Sequence, residues 1–211
     1  MPHPRDGGPL TGPRLLGAFA LGLTVMVLAL ALAVSPGPAA ARAVIVWTAR
    51  TSLALFALAY VARPLVQLRP SPPTKALLAR RKWLGLGFAV SHGYHLVGIL
   101  WYASADLGAF VRSQEPTVLV ALATFVAIGA MAVTSVEAVR RAMPARAWRR
   151  LHATGMHLAW LSFAFTYVFA IAASPLYALP SAILLAIGAV RLAAWLRARR
   201  HAAARPQRFA A

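Results

Sequence analysis

The sequence predicts an all-α membrane protein, a bundle of six transmembrane helices with both termini in the cytoplasm. Three observations lead there. Of 211 residues, 60% are hydrophobic and only 12% charged, with a mean hydropathy of +0.67, too apolar for a globule in water. The apolar residues gather into six stretches near the roughly 20 residues that a bilayer demands. The basic residues gather in alternate connections.

The first stretch, Leu15–Val34, follows Arg5 and Arg14. It is too long for a cleavable leader core and reads as a signal anchor. The second and third, Ala43–Val61 and Trp83–Ala103, flank Arg69–Thr74. There Pro70, Pro72 and Pro73 predict a stiff non-helical connection. Thr117–Val136, Leu151–Ala173 and Ala178–Leu196 complete the six. The bundle occupies residues 15–196, with mobile ends expected at 1–14 and, as a basic cytoplasmic tail, at 197–211.

The net charge of +18, from 22 Lys and Arg against 4 acids, follows the same alternation. Arg5 and Arg14, the run from Arg63 to Lys82, Arg140–Arg150, and Arg191 with the tail arginines fall on one side. Opposite them stand only Arg42 and Arg112, with Arg50 inside the second span. The positive-inside rule makes the rich side cytoplasmic, so the charge expresses topology. Trp83, Trp148 and Trp195 mark its interface, and Trp47, Trp101, Tyr102 and Tyr177 the other. Nucleic-acid binding is not expected, because the basic clusters lack interleaved stacking aromatics and adjoin lipid. Without cysteine, thiolate metal sites and iron–sulfur clusters are excluded. The scattered Asp6, Asp106, Glu115 and Glu137 exclude paired-carboxylate catalysis.

Four histidines remain where lipid should be: His92 and His95 in the third span, His152 and His157 in the fifth. An ionisable side chain within a membrane needs a partner to offset its desolvation. Imidazoles without acids or thiols suit haem iron, and porphyrin suits an apolar interior. His92 and His95 share a helical face, whereas His152 and His157 are about 140° apart. Counted from Trp83 and Trp148 as level anchors, His92 and His157 are equally deep, about 13 Å in, which favours that pair. Arg50 could contact a haem propionate or reach the headgroups. Tyr94, Trp160, Phe163, Phe165 and Tyr167 could pack on a macrocycle or form ordinary core.

The run Ala79–His95, with its Arg-Arg, Leu-Gly-Leu and His spacing, resembles the third helix of the ferric reductase-like transmembrane domain family. Thr134-Ser135, Trp148-Arg149-Arg150-Leu151-His152 and Arg50-Thr51 extend the likeness over about residues 43–172. It implies a six-helix b-type cytochrome with His95 and His152 as haem ligands, where depth counting favours His92 and His157. Phe165 stands where two-haem members carry a second histidine, and Arg81 near the corresponding third-helix position, so one haem b is expected rather than two. Larger relatives add a flavin and nicotinamide domain that these residues do not contain.

The expected function is electron transfer across a bacterial inner membrane. The cytoplasmic donor would be quinol or a separate flavoreductase, and the outer acceptor a periplasmic protein or ferric iron. FMN at the Arg80-Arg81-Lys82 face is a weaker expectation. The competing reading is a haem-free small transporter or assembly factor whose histidines are structural.

Overall fold

The computed structural model describes residues 12–35, 37–112 and 117–203. Most of the expected mobile ends, 1–11 and 204–211, lies outside the described residues. Those residues form helices and no strand: α1 (Pro13–Ala33), α2 (Pro38–Leu68), α3 (Pro72–Ala103), α4 (Leu107–Arg112), α5 (Thr117–Val133), α6 (Glu137–Ala142), α7 (Ala145–Ala170), a 3-10 turn (Pro175–Tyr177) and α8 (Ala178–Ala203). Helix is the expected answer where no water can satisfy the backbone.

Several boundaries follow from local chemistry. Gly37, at φ +98°, takes a conformation that side chains resist, and lets α2 begin at Pro38. Pro72 and Pro73 do not block a helix, contrary to the expectation. They occupy its first turn, where a missing N–H costs nothing, behind a reciprocal Ser71–Thr74 cap. α2 continues through Pro64 to Leu68, and α8 continues past Leu196 to Ala203.

Among the described residues, four helices are long and apolar enough to cross a membrane: Pro13–Ala33, Pro38–Leu68, Pro72–Ala103 and Pro175–Ala203. The other two expected spans differ. The apolar part of α5 is only Val118–Val133. α7 has 26 residues, about 39 Å at 1.5 Å each. Its arginines, histidines, serine and threonines dilute its hydropathy.

α2 and α3 pack along their length as an antiparallel hairpin; α8 lies on α2 and α7, and α5 on α7 and α3. Side chains from these five helices share one core around Phe56, Phe88, Phe163 and Leu184. α1 lies at its edge, packing Phe19 against it and burying only Leu23. It is attached to α3 by Thr24, whose hydroxyl lies 2.7 Å from that of Tyr94, so Tyr94 faces α1. The basic residues at the end of α2, the starts of α3 and α7 and the end of α8 make one end of the bundle arginine-rich.

Candidate functional site

The histidines fall in three environments. His92 and His95 occupy the half of α3 remote from the basic end. Their rings stack 5.3 Å apart, and Phe125 of α5 lies 4.6 Å from His92 and 6.2 Å from His95. His95 Nδ1 donates to the Ile45 carbonyl at 3.0 Å. A carbonyl only accepts, so the proton sits on Nδ1 and Nε2 keeps its lone pair, as in metal-binding imidazoles oriented by a backbone oxygen. His92 is only 8% exposed, and its buried Nδ1 has no hydrogen-bond partner among the described residues.

Beneath this pair, hydroxyls join α2 to α3. Ser91 donates to the Thr48 carbonyl at 3.1 Å, and Ser52 donates to Ser91 at 2.9 Å. Thr51 stands 2.8 Å from Ser91. Gly98 allows the close approach, since a Cβ there would meet Ile45 and Val44 side chains at 3.1 Å and the Ile45 nitrogen at 3.3 Å. Sequence reasoning missed this cluster. Its signal was the run of Thr48, Thr51, Ser52 and Ser91 inside apolar spans.

His152 lies near the basic end, against α5. Its Nε2 is 3.1 Å from the Thr134 hydroxyl, and its ring is 4.2 Å from Trp148. Trp148 donates to the Thr134 carbonyl. His152 also lines a cavity of about 390 Å³ between α2, α3 and α5–α7. Phe88, Ile128, Met131 and Met156 give it apolar walls; Arg81, Lys82 and Arg140 supply cations.

His157 points elsewhere, as the 140° separation requires. It faces α2 and α8, with Nδ1 3.3 Å from the Tyr60 hydroxyl. The Arg191 guanidinium lies 4.5 Å over the Tyr60 ring. Arg191, grouped from sequence with the tail charges, thus belongs to a site between helices. An arginine within an apolar stretch was the overlooked signal.

Ring contacts also set the register of α3 against α7. Phe163 touches Phe88 at 6.1 Å and His92 at 5.9 Å, so residue 163 is level with 88–92. The same offset leaves His92 and His157 about 12 Å apart in depth. Trp83 and Trp148 are not level, so the equal-depth argument from those anchors does not hold. His95 and His152 are not level either: His95 is about 9 Å along α3 beyond Ala89, the farthest α3 residue lining the His152 cavity. Among the described ring contacts, neither α7 histidine meets an α3 histidine. No group of three or more His, Cys, Asp or Glu able to hold a metal ion occurs among the described residues.

Of the other candidates, Arg50 is exposed, its guanidinium 4.9 Å over the Trp47 ring. Phe163 and Tyr167 are buried core, whereas Phe165 is exposed.

Long apolar helices enclosing imidazoles at separate levels define a helical membrane protein with polar groups held inside the bundle. The family model "Ferric reductase like transmembrane component" matches residues 46–166, more than half of the chain, and the chain belongs to that family. The match contains all four intramembrane histidines and suggests membrane electron transfer. No curated protein and no solved structure matches the chain.

Proposed function

We propose that this chain is a b-type haem protein of the bacterial inner membrane, a six-span bundle with cytoplasmic termini. Electrons enter at its arginine-rich face from quinol or a separate flavoprotein, and leave to a periplasmic acceptor. The observation that carries this reading is the cavity beside His152. One wall has an imidazole, most of the lining is apolar, and Arg81, Lys82 and Arg140 outnumber the one acid, Glu137, which pairs with Arg141, so the rim favours carboxylates. Those features match an axial ligand, a macrocycle and its propionates. Bound haem would supply one-electron iron chemistry. The protein would hold it through His152, whose ring must exchange its Thr134 bond for the metal. Met131 and Met156 are adaptable side chains that yield to a ligand more readily than branched ones.

One haem is favoured over two, because at this level an imidazole, apolar walls and cations line one cavity. At the level of His92 and His95, Phe125 covers both rings. His95 is nevertheless preset as a ligand through Ile45, and is the alternative position. Phe88, Phe56 and Phe163 pack together, 5.4 Å between centroids for Phe56 with each partner, and join the two levels with ring contacts. His157, turned toward α2 and α8, is not assigned to haem.

The test is an absorption spectrum and pyridine haemochrome count on the purified membrane protein. One haem per chain with a Soret band is expected, lost in His152→Ala and kept in His92→Ala. Loss in His95→Ala alone would move the haem to the remote level. A colourless protein from haem-replete cells would reject the reading and favour a haem-free membrane protein.

A further inference from the structure

His157 is exposed although it lies inside a helix that the reading above embeds in lipid. An imidazole left facing hydrocarbon is costly unless something polar covers it. It opens into a groove of about 650 Å³ between α2, α7 and α8, shared with Tyr60, Trp160, Gly188, Arg191 and Trp195. This volume is that of an ordinary small-molecule site.

The groove has a donor end and a flat apolar end. At the donor end are the Tyr60 hydroxyl, the His157 imidazole and the Arg191 guanidinium. Tyr60 is only 2% exposed, so its hydroxyl is fixed in place. At the other end the Trp160 indole donates to the Leu184 carbonyl at 3.0 Å and is held against Gly188. A Cβ at Gly188 would stand 2.9 Å from that ring, so only glycine lets the indole lie close to α8. Trp195 is exposed at the rim, beneath Arg199 at 4.0 Å. Leu185 and Leu192, both well exposed, flank the opening, which in a bilayer gives onto lipid.

We infer that this groove is a lateral binding site for the ring of a lipid-soluble quinone, with a ring carbonyl directed at Tyr60, His157 and Arg191. A quinone carbonyl accepts and never donates, which matches a donor-rich pocket end. Its planar ring matches indole walls, and its isoprenoid tail can remain among the lipids outside Leu185 and Leu192. A phospholipid phosphate suits the groove less well. Arg191 precedes Arg197, where the terminal arginine cluster begins, by six residues, about 9 Å deeper into the apolar layer at 1.5 Å each. Headgroups belong at the cluster. The inference rests on the electron-carrier reading and deepens it by naming quinol as the donor class and placing where it docks.

The test uses the full chain in phosphatidylcholine nanodiscs, labelled by light with an azido-naphthoquinone and competed with 2-methyl-1,4-naphthoquinone. Saturable labelling of the peptides containing His157–Trp160 and Arg191–Trp195 is expected. Tyr60→Phe and His157→Leu should each weaken competition by up to about tenfold, the worth of one well-placed hydrogen bond, with the haem band unchanged. Trp195→Ala, at the exposed rim, serves as a variant with little risk to folding and should weaken competition severalfold. Labelling spread evenly over lipid-facing residues such as Leu21 and Leu32 would overturn the site. So would labelling abolished by phosphatidylglycerol but not by the naphthoquinone, which would make the occupant an anionic lipid. Loss of the Soret band in His157→Leu would make His157 a haem ligand instead and also overturn it. A colourless wild type that still labels saturably would sink the haem reading and leave the groove standing.

Discussion

The α2–α3 hairpin and the α7–α8 face treat buried polarity in opposite ways. In the hairpin, Thr48, Ser52, Ser91 and His95 find partners across the interface, and Gly98 lets the backbones close on them. On the other face, His157 and Arg191 meet at Tyr60 but stay open to the groove. Hydrogen bonds between membrane helices contribute about 0.6 kcal/mol each on average and up to about 1.7. The closed side therefore gains several such terms and holds register. On the open side the described hydrogen bonds pair the Tyr60 hydroxyl with His157 Nδ1 and leave the other imidazole nitrogen and the Arg191 guanidinium to the groove, which is what a ligand site needs. Polar residues inside a membrane thus divide into those satisfied by the protein and those awaiting something else.

The largest effect should come from prying the closed side apart. Gly98→Leu would drive a branched side chain into Val44 and the Ile45 backbone, where overpacking typically costs about 1–3 kcal/mol or more. A lowered thermal unfolding midpoint in detergent is expected, with Nδ1 of His95 displaced from Ile45. An unchanged midpoint would show that the hairpin is not close-packed. A smaller effect is expected from Ser91→Ala, which removes the donor that crosses from α3 to the Thr48 carbonyl and leaves Ser52 without its acceptor. About 1–2 kcal/mol should be lost, measurable by the same unfolding. Ser91→Thr would restore the hydroxyl and separate hydrogen bonding from packing. The smallest belongs to Arg50→Gln. With its guanidinium exposed over Trp47, stability should change by less than about 0.5 kcal/mol and haem content not at all. A loss of haem would place Arg50 at a propionate and contradict its surface position.

Much of the helical plan was legible because hydropathy and charge alternation act along the chain. Trp83–Ala103 falls within α3, and Leu15–Val34 overruns α1 only by its last residue, the C-cap Val34. The first turn of α3 was misread, since Pro72 and Pro73 signal a break in isolation and a helix start once Ser71 and Thr74 cap it. α5 proved shorter than its apolar run. The histidines themselves were visible, being ionisable groups in apolar segments. Their partners were not: Ile45 is 50 residues from His95, and Tyr60 is 97 from His157. The depth count failed because two tryptophans on different helices need not share a level. Only ring packing at Phe163 fixes how far α7 slides along α3.

The sequence by itself determined that the chain is helical, belongs in a membrane, gathers its positive charge between and after apolar stretches and places four histidines within those stretches. Those properties depend on composition and on spacing along one chain. Tertiary structure alone decided which imidazole donates to Ile45, which one lines the cavity and which one opens onto a groove. Each of those outcomes requires the relative rotation and sliding of separate helices, and apolar surface drives helices into lipid without specifying either.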